Sequence, residues 1–404
     1  MKSHFWRSVS LRRRCSEIKT RRAVLRQALV CGSVLVSGFH KLRWPQGNAG
    51  FDSAPQGVRA GAVPFTNEGT VEMNEPLGAE LDGRLFTDLS SLAAESGATP
   101  TKNFYIRTRA STLLDSSRPW SIQFTGLVEK PVAISADQLR KMARPMGRHL
   151  MECAGNYRGV HFGMISVADW QGVLFQDMLE IAKPSSLGYR VMVSGFDKYA
   201  SESKTSVPGA SWIFTVEQLK TLGAFLATEM NGEPLIADHG FPVRLVVPGW
   251  YGCACIKWVN EIAFVNENAP ATSQMQEYAA RTMQLGVPRL AKEYQPAAID
   301  CAAMPIRIER WLVNGKTEFH VVGIQWGDAR GVEGLEIQFN PEENYLPVEN
   351  FAISHNAYWN LWSCAWIPQK PGIYSIRLRA KGTNVTARRL ESGYYVRSVE
   401  ILDI

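Results

Sequence analysis

Beyond about residue 300 the chain breaks into short alternating segments: RIERWLV, EFHVVGIQW, GLEIQFN, YSIRLRAK and GYYVRSVEIL, separated by Gly, Pro and Asn. Alternation at a period of two turns successive side chains to opposite faces, which suits a half-buried strand and defeats a helix. Several such segments in a row, punctuated by turn residues, predict an all-β sandwich. The segment YQPAAIDCAAMP (294–305) is the expected boundary, so residues 294–404 form the predicted sandwich.

Residues 76–293 have a mixed texture. WSIQFTGLV (120–128), YRVMVSGF (189–196) and FPVRLVVPGW (241–250) read as strands. SADQLRKM (135–142) offers Ser135 as a helix N-cap, and GVLFQDMLEIA (172–182) has amphipathic helical spacing with Pro184 just beyond. The fold class is therefore α+β: a mixed domain followed by a sandwich. Residues 46–75, rich in Gly, Ala, Pro and Asn, read as a linker.

The first 45 residues read as an export signal. TRRAVLR (20–26) precedes the modestly apolar ALVCGSVLVSGF (28–39), the pattern of twin-arginine export to the periplasm. The formal charge of +6 comes from this leader. Residues 1–43 hold 11 of the 44 Lys and Arg and one of the 38 Asp and Glu; the remainder nets −4. That balance gives no footing for nucleic-acid binding. No run approaches the ~20 apolar residues of a membrane span.

Seven cysteines are present, two of them in the leader, so an exported chain keeps an odd number and at least one free thiol. No C-x-x-C-H occurs, and Cys253-x-Cys255 lacks the second pair that a zinc site needs.

Three stretches carry chemistry. In HLMECAGNYRG (149–159), Cys153 sits between the acid Glu152 and a small turn, with Arg158 close behind. A thiolate is a soft metal ligand and small turn residues let a bulky group approach; the residues alone equally permit a buried structural cysteine. In MNGEPLIADHGFPVRLVVPGWYGCACIKWV (230–259), Arg244 interrupts an apolar strand, a placement that is costly unless the charge is paired. Phosphate is a natural partner for it and for Lys257, as is an ordinary carboxylate. In KNFYIRTRA (102–110), an aromatic pair beside Arg107 and Arg109 could line an anion pocket or form a solvated edge.

Taken together these stretches resemble the sulfite oxidase family of molybdopterin enzymes. FYIRTR is similar to the family's aromatic-aromatic-x-Arg-Asn-His stretch. MECAGNYR is similar to its Cys-Ala-Gly-Asn-x-Arg motif, and DHGFPVRLVVPGWYG with IKWV to its longest motif. WNLWSCAWIP with PGIYSIRLRA (359–380) resembles its dimerisation domain, an immunoglobulin-like sandwich.

The resemblance implies a molybdopterin-binding catalytic domain, one molybdenum–molybdopterin cofactor per chain and a homodimer. It makes Cys153 the metal ligand, Arg107 and Arg158 the substrate-binding arginines, and Tyr278, or alternatively Tyr294, the active-site tyrosine. Arg109, His239, Arg244 and Lys257 fall on cofactor contacts, and Arg397 on a further substrate arginine. The implied reaction is oxidation of sulfite, or a related sulfur oxyanion, to sulfate. The animal enzyme's haem domain has no counterpart in this chain, so electrons are expected to pass to a c-type cytochrome. Two alternatives share the fold: a sulfane-sulfur dehydrogenase and a sulfoxide reductase. A third, from another class, is a non-catalytic secreted binding protein. The chain departs from the family at Arg109, where the family has His, and at Cys253 and Cys255.

Overall fold

The computed structural model describes residues 57–78, 83–93, 96–109, 114–115, 117–196, 210–348, 350–351 and 358–404. The segment read as an export signal, residues 1–45, lies outside them. No helix among these residues is long and apolar enough to cross a membrane.

Two five-stranded sheets build the mixed part. In one, Arg144–Glu152 pairs antiparallel with Ile165–Leu174, which pairs with Phe225–Met230; Arg244–Val246 adds beyond. In the other, Val259–Val265 lies at the centre, parallel to Ser121–Gly126 and antiparallel to Arg190–Gly195. The helix Ala136–Met142 starts where expected: Ser135 accepts from the Gln138 N–H and the Gln138 side chain accepts from the Ser135 N–H.

The other expected elements are shorter than read. Gly172, Val173 and Leu174 finish a strand, and the helix runs only over Phe175–Ala182. A Cβ on Gly172 would come within 2.3 Å of the Leu226 carbonyl oxygen, so only glycine lets the neighbouring strand approach there. FPVRLVVPGW keeps just three strand residues, Arg244–Val246, because Pro242 and Pro248 have no N–H to give a ladder.

The C-terminal part is two further antiparallel sheets, one centred on Lys316–Trp326 and the other on Gly372–Gly382. They face each other around Trp366, which stacks on Phe339 (4.4 Å, 5°) and meets Tyr374 edge-on (4.8 Å). This β-sandwich matches the alternating texture of the sequence.

The segment read as a linker is in part sandwich. Val58–Val63 pairs with Ala302–Val313, and Phe65–Thr66 with Arg397–Ile401. Glu68, buried just beyond, receives Arg397 (Nε 2.6 Å) and His161 (2.7 Å). The described residues form one compact unit, and the sandwich reaches into the mixed part through Trp326 and Arg389.

Candidate active site

The strand Arg144–Glu152 delivers Cys153 to a turn. The Cys153 N–H still donates to Met164, but the Asn156 N–H folds back onto the Cys153 carbonyl (2.9 Å). Asn156 locks the turn: its Oδ1 accepts from the Met164 N–H (3.0 Å) and its Nδ2 donates to Glu152 (3.3 Å). Glu152 is fully buried and accepts from the Trp326 indole (2.8 Å), so the acid beside the cysteine anchors the turn to the sandwich. The Gly155 N–H points at Cys153 Sγ (3.4 Å). Burial pushes the thiol up, and the Arg107 charge pulls it back toward thiolate.

Cys153, Arg107, His239, Arg244, Lys257 and Tyr278 all line one cavity, together with Phe104 and Tyr105. Residues up to 174 positions apart in sequence, Phe104 and Tyr278, thus meet where a strand end, two loops and a short helix come together. Gly252 permits the closeness, since a Cβ there would stand 2.6 Å from the Tyr105 hydroxyl. Tyr278 caps the helix Ser273–Glu277, and burial raises its hydroxyl's pKa, which keeps it a neutral donor.

Arg244 tests whether an anionic cofactor fits. It is 3% exposed, and its donors reach the His239 carbonyl (3.1 Å), Met151 Sδ (2.9 Å) and the Cys255 carbonyl (3.3 Å). Nε is buried with no partner, and no carboxylate pairs with the guanidinium, among the described residues. Burial therefore lowers its pKa. A buried cation among neutral acceptors suits an incoming phosphate. Lys257 stands beside it, donating to the Thr108 and Asp238 carbonyls.

His239 is neutral. Burial pushes its pKa down to about 3, and its Nε2 faces the Thr101 carbonyl (3.1 Å), so Nε2 carries the proton and Nδ1 is left to accept. The unfolded chain takes up this proton near pH 6.5, the folded one near 3. Unfolding thus binds a proton between those values, and stability falls with falling pH across that window. His239→Gln removes this dependence. Between pH 7 and 5 the wild type should lose roughly 2 kcal/mol more than the variant; parallel urea-unfolding results at the two pH values would contradict a neutral buried imidazole.

The other predicted residues stand elsewhere. Arg158, on a short 3-10 turn, donates to the Val396 carbonyl (2.6 Å) and does not line the cavity. Arg109 pairs with Asp238 (3.0 Å), so it holds the cavity wall without reaching the cavity. Arg397 is spent on Glu68 and the Pro305 carbonyl. Tyr294 donates to the Pro288 carbonyl (3.3 Å), outside the cavity.

Residues not foreseen as site residues also appear: Cys253, Cys255 and Gln274 line the cavity. The Gly252 N–H donates to the Glu152 carbonyl (2.7 Å), which sets the loop of Cys253 beside that of Cys153. Cys253 and Cys255 are free thiols. Their departure from the family pattern was visible in the sequence; that both face the cavity was not.

Residues 110–273 match the family described as "Oxidoreductase molybdopterin binding domain". Sulfite oxidase from Arabidopsis thaliana is 23% identical over 279 residues, 63% of this chain and 71% of that one. A nitrate reductase from Aspergillus niger is 31% identical over 211 residues, 48% of this chain. The match spans only 24% of that relative's length. Among solved structures, the sulfane dehydrogenase SoxCD from Paracoccus pantotrophus superimposes with a TM-score of 0.60 at 17% identity, covering 81% of this chain and 88% of its own. Residues 110–273 thus form a molybdopterin-binding oxidoreductase domain, and the chain is similar to sulfite oxidase and to nitrate reductases.

Proposed function

We propose that this enzyme oxidises sulfite to sulfate with one molybdenum–molybdopterin cofactor per chain. The carrying observation is the cavity that joins the Cys153 thiol and Arg107 to the uncompensated Arg244 cation. When bound, the cofactor supplies oxygen-atom transfer coupled to two-electron chemistry.

The chain's own residues do the rest. Cys153 offers its sulfur as the protein's ligand to the metal. Arg244 and Lys257 would receive the cofactor's phosphate, and the His239 Nδ1 would accept a hydrogen bond from the cofactor's ring system. Arg107 draws the anion toward Cys153, and the Tyr278 hydroxyl donates a hydrogen bond to a substrate oxygen. In this partly buried cavity, such bonds are stronger than in water. Sulfite and water give sulfate, two protons and two electrons, and the electrons leave to an external acceptor. A c-type cytochrome in the periplasm, reached by the twin-arginine route, fits that need, and a homodimer fits the family.

A second reading is oxidation of sulfane sulfur. It is favoured by Arg158 and Arg397 being engaged by Val396 and Glu68, which leaves the cavity less committed to a small dianion.

The test is molybdenum content of purified protein with sulfite-dependent cytochrome c reduction on the same sample. About one metal per chain with turnover supports the first reading. Metal without sulfite turnover moves the substrate to sulfane sulfur or a sulfoxide. A metal-free protein from a host that makes the cofactor defeats both readings.

A further inference from the structure

We propose that Arg281 is the second arginine that holds the oxyanion substrate, together with Arg107, in the role the sequence motif suggests for Arg158. The inference deepens the sulfite reading and rests on its anionic substrate.

Arg281 lies three residues beyond Tyr278, in the 3-10 turn Ala280–Thr282, and its guanidinium packs over the Tyr278 ring at 5.2 Å. It also reaches the turn that carries the thiol. A Cβ built on Gly155 would stand 3.8 Å from Cys153 Sγ and 4.0 Å from Arg281 Cδ and Nη1. One small residue therefore separates sulfur from guanidinium, and a side chain larger than glycine's hydrogen would fill the gap. Arg389 holds both backbones at once, donating to the Ala154 carbonyl (2.8 Å) and the Arg281 carbonyl (2.5 Å).

What marks Arg281 is the state of its donors. The nearest carboxylate, Glu277, is 3.7 Å away, beyond hydrogen-bond distance, and both side chains are nearly half exposed. Its guanidinium makes no hydrogen bond among the described residues. Arg158 and Arg397, by contrast, already donate to carbonyls and a carboxylate. Arg281 does not line the cavity itself, but a planar guanidinium with open donors one small residue from the Cys153 sulfur is suited to grip two oxygens of a sulfur oxyanion. Its charge also helps draw the Cys153 thiol toward thiolate.

The test uses the cofactor-loaded enzyme with Arg281→Gln and Arg281→Lys. Arg330→Gln, on an exposed side chain, controls for net charge. Sulfate binding is measured by calorimetry without turnover, alongside KM and kcat for sulfite. Arg281→Gln should weaken sulfate binding and raise KM roughly 10- to 100-fold. The effect on kcat should be smaller, with Arg281→Lys recovering part of the loss and Arg330→Gln without effect. Sulfate binding that is absent in the wild type, or unchanged in Arg281→Gln, overturns the proposal. Arg281-dependent sulfate binding without sulfite turnover upholds it while defeating the sulfite reading. Sulfite turnover indifferent to Arg281→Gln does the reverse.

Discussion

Cys153→Ser should strip the enzyme of turnover while leaving the chain folded. A serine hydroxyl is nearly isosteric, and the Gly155 N–H that meets Sγ at 3.4 Å can meet an oxygen instead. The turn is held by Asn156, Glu152 and Trp326, none of which depends on the sulfur. What serine cannot supply is a soft anionic ligand. A hydroxyl stays protonated in a buried site where even the thiol is pushed up, and hard oxygen is a poor match for a sulfur-seeking metal. Losing a mere outer-shell partner of a metal ligand typically costs 10- to 100-fold. Loss of the ligand itself should therefore cost more than about 100-fold in activity. The checks are bound molybdenum by elemental analysis, turnover and the thermal midpoint, with Cys301→Ser, at the start of the sandwich, as a second buried free thiol for comparison. If Cys153→Ser kept its metal and its rate, the cysteine would be an ordinary core thiol.

How much of this could be read from the residues depends on how local each determinant is. The Cys153 turn is legible because its needs are met within a few positions: an anchor at Glu152, small residues at Ala154 and Gly155, and a locking amide at Asn156. Arg244 is legible for a similar reason, since a charge inside FPVRLVV has to be explained wherever the strand lies. The sandwich is legible because alternation is a property of each strand by itself. The strap is not. Val58–Val63 is a strand only because Ala302–Val313, far along the chain, offers it an edge.

Arginine direction fails for the same reason. Arg158 is turned by the carbonyl of Val396, 238 residues away, and Arg397 by Glu68, 329 residues away. No spacing rule near either residue announces those partners. Arg281 had one local clue, its place three residues after Tyr278, but i,i+3 neighbours on a short helix or turn are usually just surface pairs. Only the fold sets it over Gly155.

Arg244→Met should move stability and cofactor binding in opposite directions. The wild-type guanidinium is sealed in the core, between Val243 and Leu245, and touches only neutral acceptors and the face of Trp170 (5.5 Å). A buried cation without a counter-ion is costly, and replacing such groups with apolar side chains of similar length can stabilise a protein by about 1–4 kcal/mol. The cofactor-free Arg244→Met chain should therefore resist urea better than the cofactor-free wild type, with methionine filling the same slot beside Met151. The loaded state reverses the order. A phosphate brought against Arg244 removes the penalty only where the cation exists, and binding stabilises the folded chain in proportion to its affinity. Cofactor retention in Arg244→Met should fall by about 100-fold or more, the loss of a charge-assisted site in a buried pocket being worth at least two factors of ten. Unfolding of both proteins, each with and without cofactor, closes the cycle. A variant that is less stable than wild type in the cofactor-free state would show that the carbonyls of His239 and Cys255 already satisfy the guanidinium. The cation would then be a fixture of the core, and the phosphate would have to be sought at Lys257 alone.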